Sequence, residues 1–132
     1  TYEHCIISDF TICKNNLPTT YSIIKTRIEK CESETNPPPN SFKKLVDGVI
    51  ENDASLNFMY CYLRSVEFIN EDGHMNIENL LKFHSKTHDV TPLEEIIQAY
   101  EECNKLSGSN HLETLRLVVI CYRDDSPVRY YF

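Results

Sequence analysis

Asp53-Ala54-Ser55-Leu56-Asn57-Phe58-Met59-Tyr60-Cys61-Tyr62-Leu63-Arg64-Ser65, followed after Val66 to Ile69 by Asn70-Glu71-Asp72-Gly73 and then by Ile77-Glu78-Asn79-Leu80, is the stretch that decides the fold. Leu56, Met59, Tyr60, Leu63 and Val66 recur at the spacing that places side chains on one helix face, so Asp53 to Ile69 reads as an amphipathic helix with Asp53 as its cap. Asn70 to Gly73 breaks the period and turns the chain, and Ile77, Leu80 and Leu81 restart it. Helix, acidic-glycine turn, helix is the pattern, and no sustained alternation elsewhere asks for a sheet. The fold class is all-α.

Toward the N-terminus, Pro18 and Thr19-Thr20 open a segment in which Tyr21, Ile24, Ile28 and Cys31 form one stripe. Pro37-Pro38-Pro39 ends it, because prolines donate no backbone hydrogen bond and disfavour helical geometry in the residue before them. Asn40 or Ser41 caps a short helix carrying Phe42, Leu45 and Val46, which Gly48 terminates. Toward the C-terminus, Thr91-Pro92-Leu93-Glu94 combines a capping box with proline at the first helical position, and Leu93, Ile96, Ile97 and Tyr100 lead to Cys103. Ser107-Gly108-Ser109 then separates a last helix, capped by Ser109 or Asn110, with Leu112, Leu115, Val118, Val119 and Tyr122 on a wide apolar face. The expectation is a compact bundle of about six helices over residues 18–132. Residues 1–17 precede it as an extension bracketed by Cys5 and Cys13, which are near enough to close a small loop on each other.

Composition narrows the function. A chain of 132 residues with 41% hydrophobic side chains can bury a single core. Its formal charge of −7, from 20 acids against 13 bases, repels a phosphate backbone, and no Lys/Arg stripe along the sequence offsets this, so nucleic acid is not an expected partner. The longest purely apolar run, Leu117 to Tyr122, is far short of the ~18 residues that cross a bilayer, so membrane insertion is not expected. Six cysteines in a chain of this size point to an oxidising compartment and a secreted, extracellular protein whose signal peptide has been removed. No nucleophile elbow or phosphate loop is present, so no catalytic residue, enzymatic activity or cofactor is expected. His84 and His88 stand four apart but without a third ligand, and aligning Gly73 with the glycine of a calcium loop puts Phe68 and Asn79 at ligand positions, so no metal site is expected.

Between Cys31 and Cys61 lie 29 residues, between Cys61 and Cys103 lie 41, and between Cys103 and Cys121 lie 17. With the helix, acidic-glycine turn and helix around Cys61, this spacing resembles the insect odorant-binding proteins over roughly residues 18–132. That family's second and fifth cysteines, which pair with one another, are replaced here by Asn57 and Leu112, so the likeness is to the four-cysteine "minus-C" branch. The resemblance implies bridges Cys31–Cys61 and Cys103–Cys121, and leaves Cys5 to pair with Cys13.

From periodicity alone the apolar faces are expected to pack together into a closed core. The resemblance implies instead that they surround an apolar cavity, lined by Met59, Leu63, Val66, Leu80, Leu81, Ile96, Ile97, Tyr100, Leu115, Val118, Val119 and Tyr122. Tyr130 and Phe132 would join them through a C-terminal segment, Val128 to Phe132, that folds back over the cavity as a lid. The implied function is a carrier for odorant, pheromone or fatty-acid-like molecules, with Tyr100, Tyr122 and Tyr130 as hydrogen-bond donors and a membrane receptor or a homodimer as further partners. Two alternatives stay open: a pocket for biogenic amines, as in related salivary proteins, and a helical protein-protein signal with its interior closed.

Overall fold

Proline opens the helix labelled α1, which spans Pro18–Thr35, with Pro18 at a position whose N–H has no internal partner in any helix. In the computed structural model, residues 14–15, 17–84 and 92–125 are described. Among them the chain forms six α-helices and no strand. Cys5 and Cys13 lie outside the described residues, and so does their pairing. α1 ends as the proline run requires, with Asn36 in the left-handed region (φ 48°) just before Pro37.

The next two helices end by one device. α2, Ser41–Val46, and α3, Asp53–Ser65, both close in a Schellman arrangement. In α2 the residue with positive φ is Gly48, and the amides of Gly48 and Val49 bond the carbonyls of Leu45 and Lys44. In α3 it is Glu67 (φ 61°), and the amides of Glu67 and Phe68 bond the carbonyls of Arg64 and Leu63. α3 therefore stops four residues short of the expected Ile69, which pairs with Met75 as an isolated bridge across the turn. The cap is also corrected. Asn52, not Asp53, caps α3, accepting from the Ser55 amide while the Ser55 hydroxyl accepts from the Asn52 amide.

α4 spans Ile77–His84, α5 Leu93–Asn104 and α6 His111–Asp125. Asn76 caps α4 through the Asn79 amide, and Asn110 caps α6 through the Glu113 amide. At α5 the structure shifts the boundary by one residue. Pro92 is the N-cap, with extended backbone (ψ 138°), and its carbonyl accepts from Glu95 and Ile96. Thr91 lies outside the described residues.

Two disulfides fix the packing, Cys31–Cys61 joining α1 to α3 and Cys103–Cys121 joining α5 to α6. Around the first lies a core of Ile24, Ile28, Phe58 and Tyr62, with Phe42 meeting the Tyr62 ring edge-on at 5.2 Å. Each such side chain contributes about 1.5–3 kcal/mol on burial. Leu56, Met59, Ile69 and Leu115 form a layer where α3 meets α6. Met75, Ile96, Tyr100, Cys103 and Val118 form the third cluster, between α5 and α6.

Candidate functional site

Six of the residues expected to line a cavity, Leu80, Leu81, Ile96, Tyr100, Val118 and Tyr122, meet in the third cluster. On α5, Ile96, Tyr100 and Cys103 share a stripe and are all buried; on α6, Val118 and Tyr122 face them beside Cys121. The Cys103–Cys121 bridge holds the two helices at this contact. Leu80 and Leu81 of α4 and Ile77 pack against the cluster while only partly buried. Tyr100, 1% exposed, and the half-buried Tyr122 stack nearly parallel with ring centres 5.1 Å apart, which brings their hydroxyl oxygens to 3.4 Å. The result is an apolar wall with a pair of hydroxyls in it, each of which can donate to one polar atom and accept from another.

The other predicted residues are placed elsewhere. Met59 and Leu115 are buried in the layer between α3 and α6, with Leu63 and Val119 packed against them. Val66, expected on the face of Met59 and Leu63, sits at the C-cap of α3 and packs instead into the first core beside Phe68. Val66 still donates to the Tyr62 carbonyl as in a helical turn, and at four residues from Tyr62 and eight from Phe58 it falls on their stripe. Ile97 is half-buried on α5. Tyr130 and Phe132 lie outside the described residues. Met75 belongs to the wall and was missed by sequence reading, because it follows a turn and has no helical period. Its backbone is held from both sides by Asn104, whose amide donates to the Met75 carbonyl and whose oxygen accepts from the Met75 N–H, each at 2.9 Å.

The acidic-glycine turn docks onto the α5–α6 connection through His74. His74 Nδ1 is 2.9 Å from Asp72 Oδ2, and Nε2 lies 2.8 Å from the Leu106 carbonyl and 3.1 Å from Ser107 Oγ. An acid, an imidazole and a serine in this order resemble a nucleophile relay, but the Leu106 carbonyl decides against one. A carbonyl only accepts, so Nε2 carries a hydrogen, and the carboxylate claims the Nδ1 hydrogen. The resulting imidazolium cannot take a proton from Ser107. Consistently, the Asp72 hydrogen bond raises the His74 pKa with help from Leu106, and the His74 hydrogen bond holds Asp72 below the usual carboxylate range. Gly73 completes the clamp. At φ 93° it is buried so close to α6 that a Cβ there would stand 2.2 Å from the His111 carbonyl oxygen.

On the outer side of the Cys31–Cys61 bridge is an open cleft of about 370 Å³, lined by Arg27, Lys30, Glu34, Arg64 and Ser65 with the two cysteines. Among the described residues no group of three or more His, Cys, Asp or Glu side chains could hold a metal. The His84 side chain and His88 lie outside them. No described helix is long and apolar enough to cross a membrane. A family model, that of the PBP/GOBP family, matches residues 13–125. No curated protein matches the sequence.

Proposed function

Since the chain belongs to the PBP/GOBP family, the insect odorant- and pheromone-binding proteins, we propose that it is a secreted carrier that reversibly encloses one small apolar or amphipathic molecule against the α4–α5–α6 wall. Members of this family bind small hydrophobic ligands. The observation that carries the placement is the cluster around Tyr100 and Tyr122, where buried and half-buried apolar residues from three elements face one another across a disulfide-fixed helix pair. The mechanism is burial, with no bond made or broken. Removing ~400 Å² of ligand surface from water at ~25 cal/mol per Å² contributes on the order of 10 kcal/mol. After an immobilisation cost of about 4 kcal/mol this leaves roughly 6 kcal/mol, an affinity of tens of micromolar. The tyrosine hydroxyls would orient a polar end of the ligand.

The minus-C branch is our further reading, and contacts between α3 and α6 support it. Asp53 pairs with Arg116 at 3.6 Å, and the Tyr60 ring meets the His111 ring at 4.6 Å. Asn57 lies between Asp53 and Tyr60 on α3, so the α6 stretch opposite it contains Leu112. This supports Asn57 and Leu112 as the two vacated cysteine positions.

Displacement of a fluorescent apolar probe tests the function. The expected result is micromolar probe binding, competition by long-chain alcohols, esters or acids, and loss of binding in Leu80→Asp with helical content kept, since Leu80 is only partly buried. Tight binding of amines with indifference to apolar competitors would contradict it.

A further inference from the structure

A formal charge of −7 makes repulsion of anions the default for this chain, yet the cleft over the Cys31–Cys61 bridge gathers Arg27, Lys30 and Arg64 against one carboxylate, Glu34. The sequence hides this grouping. Arg27, Lys30 and Glu34 lie on one stripe of α1, at intervals of three and four residues, while Arg64 is on α3 and is brought opposite by the disulfide. Neighbouring cations are matched: Lys25 pairs with Glu29, and Lys44 with Glu51. Among the described residues Lys30 has no ion pair, and the Arg64 guanidinium makes a hydrogen bond to the Ile69 carbonyl at 3.3 Å and no ion pair. Glu34 is turned to Cys61, its Oε2 3.6 Å from the sulfur.

We propose that this cleft is an anion-binding site, separate from the apolar wall, that takes the oxygens of a phosphate or sulfate group. The guanidinium of Arg64 offers a planar fork of donors that matches such oxygens, and the Lys30 ammonium adds a mobile point charge. A cleft lined mainly by one sign of charge concentrates counter-ions above their bulk level, an effect that salt screens. The same chemistry is presented by a free phosphate and by a phospholipid headgroup, and the two sources can be told apart.

The test uses the full isotope-labelled chain with its disulfides intact, at low ionic strength. One arm titrates inorganic phosphate and follows backbone amide shifts. The other measures co-sedimentation with phosphatidylcholine vesicles, with and without phosphatidylglycerol. Saturable shifts confined to residues 27–34 and 61–65 are expected in the first arm, weakened up to about fivefold in Lys30→Gln, as for one exposed cationic contact, and kept in Lys30→Arg. Vesicle binding that requires phosphatidylglycerol and is lost in Lys30→Gln would support the site with a headgroup as its source. Because Arg64→Gln also removes the bond to Ile69, Lys30→Gln, which breaks no described bond, is the controlling variant. Binding in neither arm, or binding that Lys30→Gln leaves unchanged, overturns the proposal.

Discussion

The two disulfide-bonded halves of this molecule are built differently. Around Cys31–Cys61, Ile24, Phe58 and Tyr62 are each 0% exposed, and their aromatic neighbours fill the space between α1, α2 and α3. Around Cys103–Cys121 a buried Tyr100 is faced by Leu80, Leu81 and Tyr122, all of them only partly buried. The first half has the character of a scaffold, closed by aromatic packing. In the second the apolar packing is less complete, with Leu80, Leu81 and Tyr122 keeping part of their surface in solvent. The clamp at Gly73, His74 and Asn104 joins the turn after α3 to the α5–α6 end, so the scaffold sets the position of the wall.

If that division is correct, truncation should affect the halves in opposite ways. Phe58→Ala should cost about 3–5 kcal/mol in urea unfolding and leave the affinity of the surviving folded protein nearly unchanged. Leu81→Ala, at a half-buried site, should cost less than about 1.5 kcal/mol yet weaken probe binding several-fold. Equal stability losses, or binding lost only in Phe58→Ala, would break the comparison.

The seam between the halves can be strengthened or broken. Asn57→Cys with Leu112→Cys should form a bridge between α3 and α6, adding on the order of 3 to 4 kcal/mol before native strain is subtracted. Two thiols that stay reactive in folded, oxidised protein would show that these residues do not face one another. Gly73→Ala should cost roughly 3 kcal/mol, because the added methyl group meets the α6 backbone and the residue is held at positive φ. A melting temperature close to that of the parent would show that the turn does not bear on α6.

The smallest effect is that of pH. The folded state raises the pKa of His74, so its contribution is complete below the unfolded histidine value and is lost as pH rises through the raised one. Asp72 is shifted down, so its contribution is present above the ordinary aspartate value and is lost as pH falls through the lowered one. Between those limits the pair should add up to about 1 kcal/mol, discounted because Asp72 is largely exposed. His74→Gln should flatten the fall in melting temperature on the alkaline side. An unchanged pH profile in that variant would assign the fall to other groups.

What could be read from the sequence depended on whether a physical signal lay in neighbouring residues. Helical stripes such as Ile24, Ile28 and Cys31, or Ile96 and Tyr100, were legible because a period of 3.6 is local. The end of α2 was legible because its left-handed residue is Gly48. The end of α3 was not, since Glu67 adopts the same conformation without glycine to mark it. The capping aspartate was misplaced by one residue, as Asn52 and Asp53 are both good caps and only the Ser55 hydroxyl distinguishes them. Both bridges were anticipated from the family resemblance, whereas six cysteines alone allow 15 pairings. Tyr100 and Tyr122 were legible as apolar-face residues but their stacking was not, since it depends on how α5 meets α6. Lys30 and Arg64 gave no signal for the same reason.

The central claim is that a small apolar ligand is held by the second half and not by the first. Amide and methyl NMR shifts during titration with a long-chain alcohol test it most directly. Saturable changes at Leu80, Leu81, Ile96, Val118 and Tyr122, with Ile24, Phe58 and Tyr62 unmoved, are the predicted result. Changes centred on Ile24, Phe58 and Tyr62, or none at either place, would contradict it.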